Sequence, residues 1–168
     1  VDAYKKFADG KKALIFNTTI EHSNLVNECF RNNGYQSRSL DSKTATDAIR
    51  SETFSWLANT PGAILNNVGI ATTGFDDPSI EAVIFNRKTK SLPLWLQCCG
   101  RGARVNPAGG KDYFIIIDLG ENIEGEKFGH WNERHDWEGY FFNPDKSSDG
   151  VAPMKLCPEC EARIYMSS

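Results

Sequence analysis

Arg101 and Arg104 stand three residues apart, with Gly100 and Gly102 flanking the first and Gln97, Cys98 and Cys99 ahead of them. On a helical turn, residues at i and i+3 are neighbours, so both guanidinium groups can reach one anionic target. A guanidinium is a planar fork of donors that stays charged near neutral pH, which suits a phosphoryl group with charge spread over several oxygens. Glycine costs about 1 kcal/mol relative to alanine inside a helix, so two in this stretch imply that something approaches the backbone closely. A second stretch, residues 67–78, reads Asn-Val-Gly-Ile-Ala-Thr-Thr-Gly-Phe-Asp-Asp-Pro. Thr72, Thr73 and Gly74 offer hydroxyls and backbone N–H groups to phosphate oxygens, and Asp76 offers a carboxylate to a ribose hydroxyl. Taken singly, the first stretch also reads as a helix end with two solvated arginines, and the second as a turn between strands. A third stretch, Cys157-Pro158-Glu159-Cys160, is a knuckle that presents two thiolates to one tetrahedral zinc. It supplies half the ligands of a structural zinc; His130 and His135 are further candidates, and an exposed dithiol is the alternative. Cys98 and Cys99 are expected to pack as small apolar residues.

The elements that must hold these residues follow from the apolar pattern. Residues 11–17 form a short apolar run between Gly10 and Thr18, which predicts a buried strand. Thr18 and Glu21 have capping-box spacing, and Leu25, Val26, Cys29 and Phe30 follow at helical spacing until Gly34. Residues 35–40 predict a second strand. Thr44 and Asp47 open a second helix carrying Ala48, Ile49, Thr53, Trp56 and Leu57, stopped by Pro61 and Gly62. Strands are predicted at 63–68 and 81–86, then a helix from about Ser91 through Pro93 to Gly100, and at 111–119 the most apolar strand of all. Strand and helix alternating over short connections predict an α/β fold, an open, mainly parallel sheet with helices on both faces. Functional loops in such sheets lie beyond the carboxyl ends of the strands; residues 17–19, 68–77 and the segment entering 97–104 are expected there. Residues 120–152 show charge and aromatics without a period, and predict an irregular extension packed back on the sheet. Residues 153–168 predict the start of a zinc ribbon.

The pattern Gln-x-x-Gly-Arg-x-x-Arg, filled by Gln97, Gly100, Arg101 and Arg104, resembles motif VI of superfamily 2 helicases. The Gly-Phe-Asp of Gly74, Phe75 and Asp76 resembles motif V, and residues 13–19 resemble motif IV. Arg50 stands where the family often carries an arginine, although a solvated or salt-bridged helix residue is the plainer reading. The three motifs occur in family order across residues 10–119, and their wording is nearer to the branch with type III restriction translocases and phage helicases than to DEAD-box proteins. The resemblance implies the second RecA-like domain of an ATP-dependent helicase or translocase. It implies that Arg101 and Arg104 reach the γ-phosphate of ATP with Gln97 orienting them, and that Gly74, Asp76 and Gly100 border the nucleotide. Asn17, Thr18, Thr72 and Thr73 would meet a DNA or RNA backbone. No Gly-x-x-x-x-Gly-Lys-Ser/Thr occurs, nor an Asp-Glu box on an apolar strand. The cradle for ATP and Mg²⁺ is therefore expected in an N-terminal RecA-like domain of a longer protein, and these residues alone are expected to hydrolyse ATP negligibly. A non-catalytic nucleic-acid-binding module with a zinc ribbon is the alternative.

Composition sets the outer bounds. The 168 residues suffice for one good core and a small appendage. No apolar run approaches the roughly 18–20 residues of a membrane span, so a soluble, cytoplasmic protein with no membrane partner is expected. Five cysteines, an odd number, argue against a secreted disulfide framework. The net charge is −3, unevenly placed: residues 1–119 hold 14 basic and 12 acidic side chains, residues 120–168 hold 5 and 10. Duplex affinity of this chain alone is expected to be weak and salt-dependent.

Overall fold

The computed structural model describes residues 1–70, 76–106, 109–124 and 128–138, and the backbone of 154–156 and 163–165. It divides into two compact units, Val1–Glu121 and Asn122–Ser168. The expected roles of Thr72, Thr73, Gly74, Cys157 and Cys160 fall outside the described residues.

The first unit is built on five parallel strands in the order β2-β3-β1-β4-β5. The strands are β1 (Ala13–Asn17), β2 (Ser37–Asp41), β3 (Ile64–Val68), β4 (Ala82–Asn86) and β5 (Ile115–Asp118). The helices are α1 (Asp2–Phe7), α2 (Ile20–Asn32), α3 (Asp47–Asn59) and α4 (Leu92–Gly102). β1 is central and buried along its whole length, which is why it reads as an uninterrupted apolar run. The chain moves from β1 to β2 through α2, and back towards the far edge through α3 and α4. Right-handed crossovers therefore put α2 on one face and α3 and α4 on the other.

Each face has its own packing. Tyr4 and Ala8 at the start of the chain and Phe30 of α2 close over Ala13, Ile15, Ile64, Ala82, Ile84 and Ile117. Tyr4, Phe30 and Tyr35 meet edge to face, with ring centroids 5.2 to 5.8 Å apart, a geometry favoured by the ring quadrupoles. On the opposite face Phe85 stacks on Phe16 and packs against the fully buried Trp95 of α4 at 4.3 Å. α1 is not among the expected elements, although Ala3, Tyr4, Phe7 and Ala8 have helical spacing.

The capping residues lie one and two positions later than the sequence suggests. Thr19, not Thr18, caps α2 by accepting from His22 N–H at 3.1 Å. Hydrogen bonds from its own N–H and from the Thr19 hydroxyl hold the Glu21 carboxyl below its ordinary pKa. Thr46 caps α3 by accepting from Ile49 N–H at 3.3 Å, because Thr44 is spent on Asp41. Arg50 faces Asp47 at 3.6 Å, one turn back on α3. The segment expected to be the most apolar strand contributes only four residues, half-buried, because β5 is an edge strand with one neighbour. Leu25 is 61% exposed and Ile49 45%, so the apolar stripes of α2 and α3 are only partly covered within the unit.

In the second unit, β6 (Met154–Leu156) pairs antiparallel with β7 (Arg163–Tyr165). Among the described residues, no helix is long and apolar enough to cross a membrane.

Candidate functional site

α4 sets the position of the arginines. Ser91 caps it, accepting from Leu94 N–H at 3.3 Å, and Pro93 sits in the first turn, where its missing N–H costs nothing. Leu92, Trp95, Cys98 and Cys99 bury its inner face. Burial pushes the Cys98 thiol up to about 12 and that of Cys99 higher still, which favours the protonated form of both. Gln97 is exposed on the outer face. β4 and β5 are parallel neighbours, with Ala82 opposite Ile115, so the connecting helix must return from the carboxyl end of β4 to the amino end of β5. Arg101 and Arg104 therefore lie at the amino edge of the sheet. The segment entering this helix starts beyond the carboxyl end of β4, as expected, but the helix carries the arginines to the opposite edge; Asp76 and Asp77, expected at the carboxyl ends with the rest of 68–77, are likewise corrected to the amino edge.

The helix also runs two residues beyond Gly100 and ends at Gly102. Arg104 lies past its end, so the arginines do not share one helical turn. Ala103, with φ −76° and ψ −4°, keeps the chain turning as it leaves. The two glycines have different reasons. A Cβ on Gly102 would stand 2.3 Å from Cδ2 of Phe114 and 2.9 Å from Cγ2 of Val83. What approaches the backbone there is the protein's own core. A Cβ on Gly100 would meet nothing within 4 Å.

Asp76 reaches the same edge from the other direction. β3 ends at Val68 on the carboxyl side and β4 begins at Ala82 on the amino side, so the segment between them crosses from one edge to the other. Near its end Asp76 forms an ion pair with Nη1 of Arg104. Asp77 is buried, its Oδ1 accepting from the backbone and hydroxyl of Ser79. Lys12 donates to that hydroxyl and to Ala58 O, each at 2.7 Å. Arg101 is 9% exposed. Burial, then the nearby charge of Arg104, lowers its pKa, opposed by Cys98 and Asp76. Two guanidinium groups thus repel each other at one edge, an arrangement that an anion relieves.

The carboxyl edge is a different chemical surface. β1 and β4 end alike, Ala-Leu-Ile-Phe-Asn and Ala-Val-Ile-Phe-Asn, and their asparagines lie opposite one another. Asn86 donates to Asn17 Oδ1 at 2.9 Å, Asn17 to Ser23 Oγ at 3.4 Å, and the Ser23 and Ser39 hydroxyls bond at 2.9 Å. Asn67 donates to Ile15 O at 2.8 Å. Asn17, expected to meet a nucleic-acid backbone with its own side chain, is 1% exposed, its amide spent inside this network. It holds the turn from beneath. Thr18 above it is exposed. The repeated strand-end asparagines are the signal by which the sequence alone would have revealed this layer. At about 3.3 Å per strand residue, five residues separate the edges by roughly 16 Å.

Among the described residues no group of three or more His, Cys, Asp or Glu could hold a metal ion, so His130 and His135 build no centre there by themselves.

Topology and site together define the class: an open parallel α/β domain that presents paired arginines at one edge and a polar turn at the other. A family model described as "Helicase conserved C-terminal domain" matches residues 1–106, and the chain belongs to that family, with the RecA-like fold of superfamily 2 helicase C-terminal domains. A 51.5 kDa protein of Lactococcus phage (isolate 7-9) is 31% identical over 169 residues, covering 99% of this chain and 36% of the phage protein. "Putative ATP-dependent helicase IRC3" of Saccharomyces cerevisiae is 32% identical over 109 residues, 65% of this chain and 15% of that protein. Among solved structures, the ATP-dependent Type ISP restriction-modification enzyme LlaBIII bound to DNA is 32% identical with a TM-score of 0.51, covering 64% of this chain and 8% of that one. The chain thus spans about a third or less of the length of these relatives.

Proposed function

We propose that this chain is the second motor domain of an ATP-dependent superfamily 2 helicase or translocase. The observation that carries this reading is the meeting of Arg101, Arg104 and Asp76 at the amino edge, with Thr18 on the opposite edge. The restriction-enzyme relative, whose structure is described as ATP-dependent and bound to DNA, supports it. Arg101 and Arg104 fit a phosphoryl target: Arg101 is largely withdrawn from water, Arg104 pairs with the exposed carboxylate of Asp76, and a guanidinium matches the oxygens of a phosphoryl group. They would stabilise charge on the transferring phosphoryl group of ATP, which with Mg²⁺ is held mainly by an N-terminal RecA-like domain of the same protein. Arginine fingers contribute about 10³ to 10⁵ in rate in related chemistry.

Gln97, exposed one turn before Arg101, would orient the arginines or the nucleotide. The open face of Gly100 leaves room for the phosphate or the facing domain. Asp76 and Gly74 would border the nucleotide, so that Arg104 exchanges its internal partner for the phosphate when the cleft closes. Thr18, Thr72 and Thr73, with Asn17 behind, would meet the nucleic-acid backbone, which implies translocation with little reading of sequence. Because the segment from Val68 to Ala82 joins the two edges, it is the physical link by which one would sense the other.

The test is nucleic-acid-stimulated phosphate release by the longer protein, wild type beside Arg101→Ala and Arg104→Ala, with this chain alone as a further sample. Activity in the wild type only is expected. Normal hydrolysis by the two variants would overturn the reading. The second reading, a non-catalytic module in which zinc on Cys157 and Cys160 completes a ribbon, has in its favour the antiparallel pairing of β6 with β7, the strands before and after the knuckle in sequence. Under it, Arg104→Ala weakens nucleic-acid binding and lowers the salt slope by about one.

A further inference from the structure

Lys111 lies outside every motif considered so far, and its contacts are unusual. The Nζ donates to Gly102 O at 2.6 Å, to Arg104 O at 2.8 Å and to Pro78 O at 3.1 Å. An ammonium has three N–H donors, so these three main-chain carbonyls account for all of them. Gly102 is the last residue of α4, where carbonyls lack intrahelical partners and a positive charge is favoured. Pro78 belongs to the segment that carries Asp76. The lysine's own backbone is pinned, its N–H bonded to Asn106 O at 3.2 Å in an isolated bridge. Burial lowers its pKa, while the carboxylates of Glu81 and Asp77 favour the charged form.

We propose that Lys111 is the positioning residue of the amino edge: it ties the exit of α4 to the segment bearing Asp76, and so fixes the Arg104 guanidinium for its target. A lysine serving stability alone could grip any carbonyls. This one grips the carbonyl of Arg104 itself, that of Gly102 two residues before it, and that of Pro78 two residues after Asp76. Without it the main chain on either side of the Arg104–Asp76 pair loses a shared cationic tie, and the pair itself is exposed at its Asp76 end. The role in catalysis rests on the motor reading above; the role in ordering Arg104 does not.

Two measurements test it. In this chain, nuclear magnetic relaxation of the arginine Nε–Hε groups compares wild type with Lys111→Met and Lys111→Arg; Lys111→Gln replaces the first if Lys111→Met does not fold. Arg104 is expected to be ordered in the wild type, mobile in the methionine or glutamine variant and partly restored by arginine. Arg38, paired with Glu52 at 3.0 Å, stays unchanged as the internal standard. An Arg104 signal that keeps its order in a folded variant overturns the proposal. In the longer protein, Lys111→Met is expected to lower kcat for nucleic-acid-stimulated ATP hydrolysis about tenfold or more, with KM for ATP little changed, since displacements of about 1 Å cost up to about 10²-fold. A fall in kcat no larger than the loss of folded protein, judged by the thermal midpoint, overturns it. Arg104→Ala is measured alongside: if that variant hydrolyses ATP normally, the motor reading fails, and the relaxation measurement alone decides the role of Lys111.

Discussion

The two glycines of α4 make opposite predictions, and the contrast tests the geometry on which the arginines depend. Gly102→Ala places a Cβ 2.3 Å from the Phe114 ring and 2.9 Å from Val83, where ordinary contact is about 3.4 to 4 Å. Val83 is fully buried in β4 and has nowhere to go, so the helix end must lift. Overpacking of this kind costs about 1–3 kcal/mol, and the better helix propensity of alanine returns up to about 1. A net loss of about 1–2 kcal/mol remains, or roughly 2–8 °C in Tm for a chain of this length. Gly100→Ala meets nothing, so only the propensity gain of about 0.5–1 kcal/mol applies and Tm rises by roughly 1–4 °C. The assay is thermal unfolding of this chain by circular dichroism or calorimetry, with Phe114→Ala added to Gly102→Ala. Loss of the ring is expected to recover part of the damage, as a coupling between residues in contact should. A Gly102→Ala chain as stable as wild type, or a Gly100→Ala chain less stable, would refute the packing argument. The functional corollary inverts the order for Gly100. Under the motor reading proposed above, its alanine variant in the longer protein is expected to lose hydrolysis despite being the more stable, because the methyl would enter the open face proposed to meet the phosphate or the facing domain.

Other consequences can be checked on the isolated chain. Tyr4 is buried, donates to Lys11 O at 2.8 Å, and is held neutral up to about 12 by burial first and by nearby Tyr35 and Asp9 next. The unfolded chain gives up this proton near pH 10 while the native one retains it, so stability falls as pH rises from about 10 towards 12, by up to about 1.4 kcal/mol per unit. In Tyr4→Phe that part of the alkaline slope is expected to vanish, against a loss of about 0.5–1.5 kcal/mol at neutral pH for the missing hydrogen bond; an unchanged slope in urea titrations would count against it. Thr19→Ala should cost about 1 kcal/mol as a lost cap, while Thr18→Ala stays within about 0.5, as read from urea midpoints. Among the described cysteines, alkylation of the native chain followed by peptide mass mapping should modify exposed Cys29 and spare Cys98 and Cys99.

What the chain states locally is legible without coordinates. Apolar runs of five or six residues, each followed by a polar turn and a helical stripe, name the strands and helices of the sheet, and the spacing of Gln97, Gly100, Arg101 and Arg104 with the Gly-Phe-Asp of residues 74–76 names the family. Where the folded chain departs from these patterns, the cause is also local. Thr18 and Thr44 each have an acidic residue three positions on and match the capping pattern better than Thr19 and Thr46 do, so only the path of the backbone into each helix reveals which threonine caps. Residues 111–119 look like the most apolar strand, yet form a short, half-buried edge strand, because hydrophobicity reports composition and not the number of neighbours a strand will have. α1 is too short for its period to stand out from six residues.

Position in the assembled sheet was beyond the sequence. Whether Arg101 and Arg104 lie at the carboxyl or the amino edge depends on α4 returning between two parallel strands, a consequence of topology that no spacing encodes. The same holds for Asn17, whose residue type suits a phosphate contact but whose amide is spent on Asn86 and Ser23. Lys111 shows it most plainly. Its partners are 7, 9 and 33 residues away along the chain, and nothing distinguishes it in sequence from a solvated lysine after a glycine turn. Residue types and their periods determine which elements form and which chemistry is available. Long-range contacts, fixed only when the strands take their order, decide which of those groups meet.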